Sequence, residues 1–170
     1  MTMPRRTIVP QTGDPSLHLI SRCVRRAFLC GEDPELGPLD HRKVWAENRL
    51  GELRQWFAFE GLTYAFMENH FHIVLTLKRS WAAGWSDEEV ARRWVEVFPC
   101  KKFFGIHGPM MKENSVQRIL QDPERVAELR RRLADCGWLM KALKEPISRQ
   151  ANKEDRTHGT FGTPATKAFC

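Results

Sequence analysis

Alternation of apolar and polar residues predicts a short β-strand near the N-terminus of the chain. From residue 17 onward the side chains form two sets, one with Leu17, Leu19, Ser21 and Cys23 and the other with His18, Ile20, Arg22 and Val24. Because side chains alternate between the two faces of a strand, this pattern predicts a short strand with one mixed face. Residues 1–15 are rich in proline and show little periodicity, which predicts a loose arm.

A helix followed by two strands is predicted next. Asp40 is a good N-cap for a helix running to about Phe59, whose apolar stripe comprises Ala46, Leu50, Leu53 and Phe57. Residues 62–67 and His70–Leu77 then read as strands. The intervening Glu68-Asn69 step is short enough to be a hairpin turn.

Three more helices are predicted in the second half of the chain. Ser86 opens the first through a capping box, and Asp122 caps the second, which Gly137 is expected to end. Pro146 is expected to kink or restart the third. The inward positions are Val90, Trp94 and Val97, then Val126, Leu129 and Leu133, then Leu139, Leu143 and Ile147.

The order of these elements predicts an α+β domain over residues 16–155, with an antiparallel sheet covered by helices on one face. Residues 99–121 lack a clean period and are expected to form an irregular connection. Residues 156–170 are rich in glycine, threonine and proline, so no packed structure is expected there.

Composition narrows the function classes only slightly. The 170 residues include 27 Lys and Arg against 21 Asp and Glu, a formal charge of +6 that favours a polyanionic partner. No apolar run is long enough for a membrane helix and no signal-peptide core is present, so we expect neither a membrane nor a secreted protein. The five cysteines form no CxxC pair, which fits a reducing cytoplasm.

The most informative motif is His70-Phe71-His72. Residues two apart in a strand point to the same side, with Cα atoms about 6.5–7 Å apart. Two imidazoles at that spacing can bind one divalent ion while Phe71 packs into the core, and a third ligand would come from another element. The alternative is a pair of half-exposed histidines on an ordinary strand.

Several other residues are weaker candidates. Arg22, Arg25 and Arg26 form a basic cluster that could bind phosphates or simply be a solvated strand end. His18 shares the strand face of Arg22 and could lie on the side of the histidine pair, or it could simply be hydrogen-bonded within the sheet. Three tryptophans could stack on bases, with the core as the alternative for the last: Trp81, Trp85 and Trp94. The arginine run at residues 130–132 could read DNA or form a solvated helix face, and Glu68 could contact a metal ion or be exposed at the turn.

Three segments together resemble a known protein family. They are ISRCVRRAFLCGED at residues 20–33, YAFMENHFHIVL at residues 64–75, and WLM with LKEPISRQANKED within residues 138–155. All three resemble the single-strand DNA transposases of the IS-two-hundred-like type, close to the REP-associated tyrosine transposases. This group belongs to the HUH endonuclease superfamily.

The resemblance implies a ferredoxin-like sheet and a specific chemistry. His70 and His72 would hold Mg²⁺ or Mn²⁺ at the scissile phosphate of single-stranded DNA, and a tyrosine would form a 5′-phosphotyrosine link. Arg22, Arg25, Arg26 and Asn69 would contact single-stranded or hairpin DNA, often in a homodimer.

The nucleophile is where this chain departs from the family. The family tyrosine, with an Asn as third metal ligand, follows on a helix beyond the Gly-Thr-Phe-Gly region, and the residues after Phe161 do not follow that pattern. Tyr64 matches a strand position instead, where a packed core ring is expected. We therefore expect no catalytic tyrosine in this chain and an impaired activity, as a truncation would produce. The alternatives are a non-cleaving DNA-binding remnant and a metal-dependent hydrolase.

Overall fold

The computed structural model describes residues 9–10, 12–22, 30–33, 37–99, 109–155 and 167–169. Six strands and six helices lie within these ranges. The strands are β1 (Ser16–Arg22), β2 (Glu32–Asp33), β3 (Gly37–Pro38), β4 (Phe59–Phe66), β5 (His70–Leu77) and β6 (Lys167–Phe169). The helices are α1 (His41–Trp56), α2 (Arg79–Gly84), α3 (Asp87–Val97), α4 (Pro109–Leu120), α5 (Pro123–Leu133) and α6 (Cys136–Glu154).

The main sheet has the strand order β4-β5-β1-β6, and all its neighbours are antiparallel. This is the order of a ferredoxin-like β-α-β-β-α-β arrangement. The first and third strands of that arrangement, which are β1 and β5 here, lie in the centre of the sheet. The predicted α+β class is confirmed. A one-residue bulge at Gly61, whose φ is +65°, interrupts the pairing of edge strand β4 with β5.

One face of the sheet forms the core, as the sequence pattern predicts. The buried side chains of β1 and β5 are Leu17, Leu19, Phe71, Ile73, Leu75 and Leu77, and they pack with the apolar stripes of α1 and α6. The stripe of α1 is the predicted one, from Ala46 to Phe57. The opposite face of these strands carries the polar set, including His18, His70 and His72.

Capping side chains define where the later helices begin. The Ser86 hydroxyl accepts a hydrogen bond from the Glu89 amide, and Asp122 accepts one from the Arg125 amide, as predicted. Asp40 precedes α1, but its carboxylate accepts from the Gly31 amide instead of capping the helix.

The part of the chain that the structure describes contains no helix long and apolar enough to cross a membrane.

The helices differ from the prediction in several places. Helix α1 ends at Trp56, because the extended backbone at Phe57 leads directly into β4. Helix α4 occupies part of the stretch expected to be irregular. Gly137 does not end a helix but lies in the first turn of α6, which Asp135 caps. Helix α6 continues through Pro146, since burial of its apolar face against the core offsets the lost hydrogen bond.

Two short segments near the chain ends are packed or paired in the structure. Val9 is buried in the core, and Arg79 donates a hydrogen bond to the Pro10 carbonyl over 2.7 Å, so this part of the arm is packed. Near the C-terminus, β6 pairs with β1 through His18 and Phe169 as partners. The prediction of an unstructured tail is therefore wrong for residues 167–169, while residues 156–166 lie outside the described ranges.

An ion cluster around the buried Arg42 ties the start of α1 to the end of α6. Arg42 is 1% exposed and its Nε donates to Glu154 Oε2 over 2.8 Å, while its Nη2 also contacts Asp155. His41 Nε2 contacts the other oxygen of Glu154 at 2.6 Å. Burial raises the pKa of Glu154, but the hydrogen bonds from Arg42 and His41 outweigh it and hold the pKa below its ordinary value of 4.5.

We expect Glu154 to contribute to the acid sensitivity of the fold. Because its folded pKa is lowered, its contribution is complete above pH 4.5 and is lost as the pH falls below that value. Urea unfolding between about pH 5.5 and 3 should show a smaller loss of stability for Glu154→Gln than for the wild type. Glu47→Gln, an exposed change on α1, is the control and should retain the wild-type slope. Equal slopes for wild type and Glu154→Gln would contradict the prediction.

Candidate metal and DNA site

The outer face of the sheet brings together residues that lie far apart in the sequence. Strands β1 and β5 pair so that Ile20 is opposite His72 and Arg22 is opposite His70. Residues directly opposite each other share a face, with Cβ atoms about 4.5–5.5 Å apart. The predicted Arg22 and the predicted histidine pair therefore project from one surface, and Arg22 is exposed there.

Hydrogen bonds orient both imidazoles of the predicted pair. His70 Nδ1 lies 2.8 Å from Asn69 Oδ1, and because an amide oxygen can only accept, Nδ1 donates this hydrogen bond. His72 Nδ1 lies 2.8 Å from His18 Nε2 across the two strands. The ring centroids of His70 and His72 are 5.2 Å apart in an edge-on arrangement. Asn69, predicted to contact DNA, accepts a hydrogen bond from His70 in this structure, and its DNA contact stays a prediction.

The surroundings of His72 favour its neutral form. Burial of the imidazole lowers the pKa of His72 below its ordinary value of 6.5, and the neighbouring rings of His18 and His70 lower it further. A histidine must be neutral to bind a metal ion. The surroundings of His72 therefore favour the neutral form, which is the form that metal binding would require.

The histidine pair suits a divalent ion only as part of a ligand set. Two imidazoles on one face, each with one nitrogen in a hydrogen bond, fit the usual pattern of oriented metal ligands. Within the described ranges, no three His, Cys, Asp or Glu side chains are grouped to hold a metal ion. A third ligand from elsewhere stays a prediction.

A cavity of about 430 Å³ opens beside His70. Its polar lining includes Asp40, Lys43, Glu68 and Asn69. Sequence reasoning missed Asp40 and Lys43 as site residues, because they come to lie beside the β4–β5 turn only in the folded chain. The Cys30 amide donates to the Glu68 carbonyl over 3.4 Å, which joins the two loops.

The remaining candidates divide between packing and exposure. Arg25 and Arg26 lie outside the described residues. Trp94 is in the core, as predicted, and the Arg93 guanidinium covers the ring of Trp85 at 4.1 Å. Trp81 is 45% exposed beside Lys78.

The arginine run is only partly the solvated face that the sequence predicts. Arg131 is exposed, whereas Arg130 donates to the carbonyls of Ala82 and Trp85. Arg132 stacks over Trp138 at 4.1 Å. Two of the three arginines therefore join helices and are not available to read DNA.

Tyr64, the one tyrosine in the sequence, lies away from the histidine pair. It is opposite Ile73, on the inner face of the sheet, and its ring is 5.3 Å from that of Phe66. The ring is 40% exposed at the edge of the core, so it is less packed than predicted. A phosphate held at His70 and His72 would be on the opposite side of the sheet from the Tyr64 hydroxyl.

Comparison with known proteins identifies no relative. No protein-family model, curated protein or solved structure matches the chain significantly.

Proposed function

We propose that the chain is a DNA-binding domain of the HUH transposase type, which binds single-stranded or hairpin DNA with a divalent cation at its outer sheet face. The observation that carries the proposal is the shared face of Arg22, His70 and His72, with both imidazoles oriented by hydrogen bonds. The net charge of +6 supports a polyanionic partner, and the cysteine content supports a cytoplasmic location.

Each residue has a distinct role in this proposal. His70 and His72 would hold Mg²⁺ or Mn²⁺ through their Nε2 atoms, and such an ion stabilises charge on a phosphate oxygen. Arg22, exposed opposite His70, would bind the neighbouring phosphate through two parallel hydrogen bonds. The cavity beside His70 would accept the adjoining nucleotide, with Lys43 near its phosphate.

Strand cleavage needs a nucleophile that Tyr64 does not supply. Its hydroxyl belongs to the inner face, across the sheet from the histidine pair. We therefore propose DNA binding as the activity of these 170 residues, and nicking with rejoining as the activity of the transposase type to which they are similar.

The test measures binding of a fluorescent DNA hairpin with a single-stranded extension, with and without Mn²⁺. Replacing both His70 and His72 by Ala should weaken Mn²⁺ binding at least about tenfold in electron paramagnetic titrations, and should remove the Mn²⁺ dependence of DNA binding. Arg22→Ala should weaken DNA binding several-fold and reduce the salt slope by about one. Arg131→Ala, which removes an exposed charge on α5, is the matched control and should have little effect.

Other outcomes would point elsewhere. A DNA affinity that changes neither on adding Mn²⁺ nor in Arg22→Ala would contradict the proposed site. A covalent protein–DNA adduct that Tyr64→Phe abolishes would show that Tyr64 is a nucleophile after all. Failure to bind DNA, together with hydrolysis of a small phosphodiester that depends on His70 and His72, would favour the hydrolase alternative.

A further inference from the structure

The contact between His18 and His72 is the least ordinary feature of the outer face. It joins two strands across 54 positions of sequence, and both rings are partly buried. The two rings lie within 27° of parallel, and their centroids are 5.0 Å apart. His18 could act there in two ways, as a ligand of the same ion or as a hydrogen-bond partner of His72.

The geometry distinguishes these two roles. The ring centroids of His18 and His72 are 5.0 Å apart, and His18 Nε2 lies 2.8 Å from His72 Nδ1. The difference between the two distances is about one ring radius on each side. The two nitrogens therefore lie nearly on the line between the ring centres and face each other. Ligands of one ion would instead direct both lone pairs toward a third point. The arrangement is that of a hydrogen bond.

A hydrogen bond between two neutral imidazoles needs one donor and one acceptor. If His72 Nδ1 accepted, its Nε2 would carry the proton and could not bind a metal ion. If His72 Nδ1 donates to His18 Nε2, the Nε2 lone pair of His72 is available. His70 is oriented in the same sense, since Asn69 Oδ1 accepts from its Nδ1.

We propose that His18 is a positioning residue that accepts a hydrogen bond from His72 Nδ1 and so holds His72 in the tautomer whose Nε2 can bind a divalent cation. This inference rests on the proposed function, because metal binding through His72 Nε2 is what selects this direction of the hydrogen bond. The partner of a metal-binding histidine is usually a carboxylate or a carbonyl, and here an imidazole takes that place.

The first test uses the metal-free protein and needs no variant. Nitrogen-15 spectra of the imidazoles should show protonated Nδ1 and unprotonated Nε2 for His72, and an unprotonated Nε2 for His18. The opposite tautomer of His72 would overturn the proposal whether or not the protein binds metal or DNA. On adding Zn²⁺ as a diamagnetic probe, the Nε2 signals of His70 and His72 should shift as ligands. A coordination shift at His18 would make it a ligand and would equally overturn the proposal.

The second test compares two substitutions at His18. His18→Gln retains an acceptor at the position of Nε2, whereas His18→Leu removes it. The Mn²⁺ dissociation constant should stay within about threefold for His18→Gln and should rise by about 10–100-fold for His18→Leu. Equal losses in both folded variants would overturn the positioning role. Absence of Mn²⁺ binding in the wild type, with the expected tautomer still present, would count against the proposed function alone.

Discussion

Replacing Arg42 by methionine is expected to lower the free energy of unfolding by about 2–3 kcal/mol. The guanidinium is almost fully buried and contacts both Glu154 and Asp155, so its loss leaves two carboxylates without their counter-charge. Removing one partner of a buried ion pair costs about 3–5 kcal/mol, and the loss expected here lies at or just below the lower end of that range because Glu154 is 37% exposed to solvent. Urea denaturation monitored by tryptophan fluorescence measures the change.

The matched control for Arg42 is Arg92→Met. Arg92 also contacts two carboxylates, those of Glu88 and Glu113, but its side chain is 50% exposed. Exposed ion pairs contribute about 0–1 kcal/mol, so this change should have a small effect. Similar losses for the two variants would show that burial of the Arg42 cluster does not determine its contribution.

Replacing Leu143 by alanine is expected to cost about 3 kcal/mol of unfolding free energy. Leu143 is fully buried on the face of α6 that packs into the main core. The substitution removes buried methyl groups and leaves a cavity, because neighbouring side chains relax only partly. Calorimetry or urea denaturation measures the loss.

An exposed apolar residue provides the comparison for Leu143. Val44 is 51% exposed on α1, so Val44→Ala should change stability by no more than about 0.5 kcal/mol. A loss below about 1 kcal/mol for Leu143→Ala would mean that α6 does not cover the sheet as described.

Local patterns were sufficient for most of the fold. The two-residue period of β1, the stripe of α1 and the caps at Ser86 and Asp122 depend on neighbours in sequence, so they could be predicted. Helix α4 could not, because Val116 is buried by packing against Ala91 and Val95 of α3 rather than by a clear period of its own. The packing of Val9 likewise depends on a distant core.

The site likewise combines features that follow from local patterns with features that depend on contacts in the folded chain. The shared face of His70 and His72 follows from strand geometry alone, and the parity of His18 placed it on the polar face of its own strand. The register that puts Arg22 opposite His70 and joins His18 to His72 is a property of two strands that meet only in the folded chain. Asp40 and Lys43 enter the site through loop packing, which leaves no local pattern to recognise.

The pairing of β1 with β5 also has a consequence for the order in which the site assembles during folding. The hairpin of β4 and β5 closes through a short turn, so His70 and His72 can be brought onto one face at a small loop-closure cost. His18 joins them only after a chain segment of more than fifty residues has closed. We therefore expect folding to bring His70 and His72 together first. Pairing with β1 should then set the tautomer of His72.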